Sequence, residues 1–229
     1  MKMIITIDGP AGTGKSSVSQ DVARRLDLDF LDTGAMYRAV ALSAMDARLH
    51  LGDMAALGEL AQRVKVDFDW SARPPRVLLD GADVSGRIRS EQVSAGASKV
   101  AVCPAVREAM VPLQRQIGHA HPSLVTEGRD QGTVVFPDAQ LKIYLDATPE
   151  ERAKRRHLQL QAKGETVDFE QLLGQIRERD ARDSGRTHSP LKPAADAQVI
   201  DTTHLTQEQV TQRIVEMAQG IMQAQKAHK

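Results

Sequence analysis

Apolar and polar positions along this chain fall into blocks whose period changes. Ile4 to Ile7 is a β-branched run, after which Val18, Val22, Ala23 and Leu26 recur at helical spacing. Residues 28–31 form a second short apolar segment, and residues 35–45 again carry a helical pattern. Strand, helix, strand, helix predicts a parallel sheet with helices on both faces. Between about 64 and 90 the character changes. Val64-Lys-Val-Asp-Phe-Asp-Trp70 alternates, residues 71–75 read as a turn, and residues 77–79 run into Asp80-Gly81. This predicts a small antiparallel insert. Helical periodicity returns over residues 90–119, with Pro104 opening a second helix, and residues 124–126 and 141–145 read as further strands.

Thr148-Pro149-Glu150-Glu151 combines an N-cap threonine, a first-turn proline and a glutamate at N3, which predicts a helix start. That helix is expected to run to Lys163-Gly164. A further helix is expected from Phe169 to about Arg182, a last strand at residues 198–200 and a last helix at 206–222. The polar tail, residues 223–229, is expected to fray.

The first strand runs straight into Gly9-Pro10-Ala11-Gly12-Thr13-Gly14-Lys15-Ser16-Ser17, and a helix follows at once. Glycines let successive backbone N–H groups turn inward, and the helix N-terminus adds partial positive charge. Lys15 has the reach for β- and γ-phosphates, and the Ser16 hydroxyl suits a Mg²⁺ ion carried in with the nucleotide. Strand, loop and helix in this order separate a phosphate loop from an ordinary glycine turn.

Composition narrows what else the chain can do. Of 229 residues, 41% are hydrophobic and 26% charged, with a net charge of +0, so one core with a small subdomain is expected and no global field favours nucleic acid or membrane. Aromatic content of 3% argues against a base-stacking surface for single strands. The one cysteine, Cys103, excludes an intramolecular disulfide and reads as buried and structural. With no signal segment and no apolar run of spanning length, a cytoplasmic protein is expected, and a monomer is the default. The histidines (His50, His119, His121, His157, His188, His204 and His228) show no metal-ligand spacing and read as surface residues.

Two charged clusters follow strands. Asp32-Thr-Gly-Ala-Met-Tyr37-Arg38 comes after the second strand, and Glu127-Gly-Arg129-Asp130-Gln131-Gly132 after a later one. Both stand where ligands of open α/β sheets bind. Arg179, Asp183 and Arg186 share one helix face by steps of three and four. Glu178–Arg182 fits a solvated i,i+4 pair, whereas Arg179–Asp183 has the less favourable order. Both that helix and the arginines around 152–156 stay open between a phosphate site and a solvated face.

The chain resembles the bacterial cytidylate kinases of the nucleoside monophosphate kinase group. The similar elements are Ile7-Asp-Gly-Pro-Ala-Gly-Thr-Gly-Lys-Ser16, Leu31-Asp-Thr-Gly-Ala-Met-Tyr-Arg38, Val84-Ser-Gly-Arg-Ile-Arg89, Glu127-Gly-Arg-Asp-Gln-Gly-Thr-Val-Val-Phe-Pro-Asp138, Glu151-Arg-Ala-Lys-Arg-Arg156, Glu178-Arg-Asp-Ala-Arg-Asp183 and Pro190-Leu-Lys-Pro-Ala-Ala-Asp196. The resemblance implies a P-loop kinase core over 1–63 and 100–229, a monophosphate-binding insert over 64–99 and a helical lid at about 150–166. It implies transfer of the ATP γ-phosphoryl, with Mg²⁺, to CMP or dCMP. Residues 9–17 with Arg155 and Arg156 would then serve ATP. Arg38, Arg129 and Arg186 would hold the acceptor phosphate, Ser98, Arg107 and Asp130 would read cytosine, and Tyr37, Arg179 and Asp183 would meet the sugar. Lys15, Asp32, Arg129 and Arg186 would be the catalytic set. Ala11 and Gln131 depart from residues common in the family. The rivals are a kinase for another small acceptor on the same scaffold and a nucleotide-binding switch, the latter lacking an Asn-Lys-x-Asp segment to read guanine.

Overall fold

A computed structural model describes residues 2–162 and 164–227. In chain order the elements are β1 (Met3–Asp8), α1 (Lys15–Leu26), β2 (Asp29–Asp32), α2 (Thr33–Asp46), α3 (Met54–Arg63), β3 (Val66–Asp69), β4 (Arg76–Leu79), β5 (Ala82–Asp83), α4 (Glu91–Val100), α5 (Pro104–Ala120), β6 (Ser123–Gly128), β7 (Leu141–Asp146), α6 (Pro149–Gln161), α7 (Phe169–Ser184), β8 (Gln198–Asp201) and α8 (Gln207–Ala227). The chain divides into two compact units, Met1–Asp29 with Pro122–Lys229, and Phe30–His121. β2 lies across their boundary.

Five strands form the main sheet in the order β2-β6-β1-β7-β8. β1 is central, pairing in parallel with β6 from Met3↔Ser123 to Asp8↔Gly128 and with β7 from Ile5↔Leu141 to Asp8↔Tyr144. Every residue of β1 is buried, as expected of a strand covered on both faces. Val18, Val22 and Ala23 of α1 are buried as their spacing predicts. Helices α6 and α7 pack on each other through Ala153, Leu160, Leu172, Leu173 and Ile176. Their starts are capped by Thr148, which accepts from the Glu151 N–H, and Asp168, which accepts from the Gln171 N–H.

In the second unit, the hairpin grammar of residues 64–79 appears as antiparallel β3 and β4, in register from Val66↔Leu79 to Asp69↔Arg76, and short β5 adds a third strand. Helix α4 begins at the Ser90 cap and α5 at Pro104. Residues 64–99 lie wholly inside this unit.

The structure differs from expectation in several places. Helix α3 was not read from its sequence. The five residues Gln131–Val135 form a π-turn where only a loop was expected. Helix α6 ends at Gln161, short of the expected Lys163, which lies outside the described residues. Helix α8 continues to Ala227, so the expected fraying from residue 223 does not occur there, and residues 228–229 lie outside the description. Two histidines are not simple surface residues: His121 stacks on Trp70 with ring centres 3.8 Å apart, and His157 meets the edge of Phe169. Cys103 is buried, and its thiol donates to the Met54 carbonyl. No helix among the described residues is long and apolar enough to cross a membrane.

Candidate active site

In the first unit, the end of β1 feeds the phosphate loop. A Cβ on Gly9 would lie 2.0 Å from the Leu145 carbonyl oxygen, so only glycine passes there. Gly14 turns the chain into α1 with φ 86°, outside the ordinary reach of other residues. No side chain caps α1 and no acid stands in its first turn, which leaves its leading amides suited to an anion. Lys15 is buried, and its Nζ donates to the Pro10 carbonyl at 2.5 Å and to Thr13 Oγ1 at 3.4 Å. Burial pushes the Lys15 ammonium well below its ordinary range; Arg129 and Arg179 add to this, and Glu127 and Asp8 oppose it. Ser16 stands exposed beside it, and the Ala11 carbonyl accepts from Arg152.

Asp8, the last residue of β1, is buried and accepts two backbone hydrogen bonds, from Gln131 N at 2.9 Å and Gly132 N at 2.8 Å. Burial pushes its carboxyl up to about 6. The two amides and Lys15 oppose that rise, Asp130 adds to it, and Arg129 and Tyr144 also face the group.

Around this loop the arginines gather on one carboxylate. Asp183, with its side chain 1% exposed, accepts from Arg129 Nε at 2.9 Å and also from Arg186. Burial alone would raise Asp183, but Arg129, Arg186 and Arg179 hold it below the usual carboxylate range. Burial likewise disfavours the charge on Arg129, and Asp183 together with Glu127 and Asp8 outweighs it, so the guanidinium sits above its ordinary value. The choice left open on α7 resolves residue by residue. Glu178 and Arg182 make the exposed i,i+4 pair at 3.3 Å, whereas Asp183 turns inward to an arginine from another element.

The second unit carries a different set. Asp32 caps α2 by accepting from the Ala35 N–H and pairs with Arg38 at 2.5 Å. The Arg107 guanidinium lies 5.6 Å over the centre of the Tyr37 ring, and both residues are buried. Ser98 is buried too, and its Oγ finds no hydrogen-bond partner among the described residues.

Some participants were missed by sequence reasoning. Arg152, left open there, is buried and donates to the Ala147 and Ala11 carbonyls and, through both Nη atoms, to Asp180. It braces the phosphate loop against α6 and α7. Arg155 is held by Glu151 and by the Thr202 hydroxyl and carbonyl, and Arg156 is half-buried. An acid closing an otherwise apolar strand was the one available signal for Asp8. No cluster of three or more His, Cys, Asp or Glu side chains among the described residues is arranged to hold a metal.

The family model for cytidylate kinase matches residues 5–220. The chain belongs to the cytidylate kinase family. It is 49% identical over 215 residues to a cytidylate kinase of Salmonella arizonae, covering 94% of each chain. It is 48% identical over 219 residues to one from Aeromonas hydrophila, covering 96% of this chain and 95% of that one. Among solved structures, a gluconokinase from Sinorhizobium meliloti is similar with a TM-score of 0.53 at 13% identity, covering 100% of this chain and 98% of that chain. At that identity the likeness shows a shared fold alone.

Proposed function

We propose that this cytidylate kinase family member transfers the γ-phosphoryl of MgATP to CMP or dCMP, giving ADP and the corresponding diphosphate. The observation that carries the reading is the set of cations around the phosphate loop. Lys15, Arg129, Arg179 and Arg186 interact through shared carboxylates at the end of β1 and α7, which is the charge a transferring phosphoryl group requires. An oxygen of the acceptor phosphate attacks the γ-phosphorus, and the bond to the β–γ bridging oxygen breaks. Lys15 exchanges the Pro10 carbonyl for phosphate oxygens that carry the developing charge. No strong general base is assigned, because positioning and charge dominate this chemistry.

Residues 9–17, with Arg155 and Arg156, serve ATP in this reading. Arg38, Arg129 and Arg186 take the acceptor phosphate, whose oxygens match their forks. Tyr37, Arg179 and Asp183 meet the sugar, and Asp32 stands toward the phosphates. Asp130 accepts from the cytosine amine, while Arg107 and Ser98 donate to the ring acceptors. The unpartnered Ser98 hydroxyl supports that role, since a buried hydroxyl is satisfied once an acceptor arrives. Uracil would set a carbonyl against Asp130 and leave buried groups unpaired. The exposed Ser16 hydroxyl is a hard oxygen donor of the kind Mg²⁺ takes, and the ion would neutralise charge on the phosphates it bridges. Residues 64–99 act as the monophosphate-binding insert and residues 150–166 as a lid that excludes water. The protein works on these small nucleotides as a cytoplasmic monomer.

A coupled assay of ADP release with CMP, dCMP, UMP, AMP and no acceptor tests the function. CMP and dCMP are expected to exceed UMP and AMP in kcat/KM by roughly a hundredfold or more. Equal rates with AMP or UMP would point to a different acceptor.

A further inference from the structure

We propose that Asp8 is a positioning residue for the acceptor base: its carboxylate holds the turn that carries Asp130 to the strand that feeds the phosphate loop. The inference rests on the reading of Asp130 as the residue that recognises cytosine. Asp8 closes β1 opposite Gly128, and the chain then folds back over it, so that the Gln131 and Gly132 amides each donate to a separate carboxylate oxygen. The Asp130 carbonyl is held on its other side by the Val134 and Val135 amides at 2.9 and 3.2 Å. The peptide that follows the Asp130 side chain is thus held at both its carbonyl and its amide, and the next amide is held as well.

Two further contacts locate the same turn. The Thr126 hydroxyl donates to Gln131 Oε1 at 3.0 Å, and a Cβ on Gly132 would lie 2.9 Å from Thr6 Oγ1, so the turn sits tight on β1. Only a carboxylate can serve here. It offers an acceptor to each amide, whereas an asparagine would turn an NH₂ group toward one of the two donors. Burying that charge is costly, since Asp8 is held above the ordinary carboxylate range. A buried apolar residue would fold with less penalty, but it could not hold the two amides. Because Gly9 follows Asp8 directly, one residue links the nucleotide loop to the base-reading turn.

The test compares Asp8→Asn, Asp130→Ala and the double variant by kcat/KM for CMP and UMP, by KM for ATP, and by calorimetric affinity for CMP alone. Asp8→Asn should lower the CMP-to-UMP ratio by roughly fivefold or more while the KM for ATP moves less than about twofold, and the double variant should lose little beyond Asp130→Ala. An unchanged ratio in Asp8→Asn beside a lowered one in Asp130→Ala would overturn the positioning role alone. Equal losses toward ATP and CMP, or additive losses in the double variant, would overturn it too. An unchanged ratio in Asp130→Ala would overturn the base reading itself, and this proposal with it. If Asp8→Asn does not fold, amide exchange in the unaltered protein decides: the Gln131 and Gly132 amides should be protected by about a hundredfold or more, and unprotected amides would refute the hold.

Discussion

Across the two compact units, charged and neutral groups of the candidate site are met in opposite ways. In the first, each charged group described at the phosphate loop already has a partner: Lys15 on the Pro10 carbonyl, Arg129 and Arg186 on Asp183, Arg152 on Asp180. In the second, Asp32 and Arg38 are likewise paired, while the neutral Ser98 keeps a buried hydroxyl with no partner among the described residues. Magnitudes explain the contrast. A buried hydroxyl without a partner costs about 1–3 kcal/mol, while an isolated buried charge costs several times that. In the proposed reading, a cation meant for phosphate must therefore be neutralised by the protein until phosphate replaces the partner, whereas a neutral group proposed to read the base can wait unpaired.

Removing the buried cation of the phosphate loop should have the largest effect. Lys15→Ala is expected to lower kcat by about a thousandfold or more with the fold retained by circular dichroism, because its charge acts on the transferring group. A folded variant with ordinary kcat would contradict the mechanism. A smaller effect concerns pH. Asp8 is raised from 3.8 to about 6 by burial, so the stability it contributes is fully present below about pH 4 and lost as pH rises through about 6. Denaturant titrations should show a stability decrease of about 3 kcal/mol across that window from this group, and Asp8→Asn should remove it. The same slope in the variant would show that other groups produce it.

Much of this was legible in the sequence because it depends on neighbours. The phosphate loop, the Thr148 cap and the Glu178–Arg182 pair each involve residues within a few positions of one another, and the parallel sheet is announced by the local alternation of strand and helix. Other features depend on distant partners. Asp8 reads as the end of an apolar strand, and its two amide donors are more than 120 positions away. Arg152 reads as one of several helix-surface arginines, yet it folds inward to the Ala11 carbonyl and Asp180. Helix α3 carries a poor helix former, Gly58, in its middle. A Cβ there would come 2.7 Å from that of Ala105, so the glycine serves the close approach of α3 and α5. At the Asp130 turn, Gln131 stands where the family often has an apolar residue. It is nonetheless buried, with its carbonyl oxygen satisfied by Thr126.

The contrast between paired charges and an unpaired hydroxyl is tested most directly by thermal unfolding of Asp183→Asn and Ser98→Ala beside the unaltered protein, without nucleotide. Asp183→Asn strips the carboxylate from two arginines and should cost about 3–5 kcal/mol, lowering the melting midpoint by roughly 6–20 °C. Ser98→Ala removes only an unsatisfied hydroxyl and should melt no lower than the unaltered protein, with a rise of up to several degrees. Equal losses in the two variants, or a larger loss in Ser98→Ala, would contradict the account.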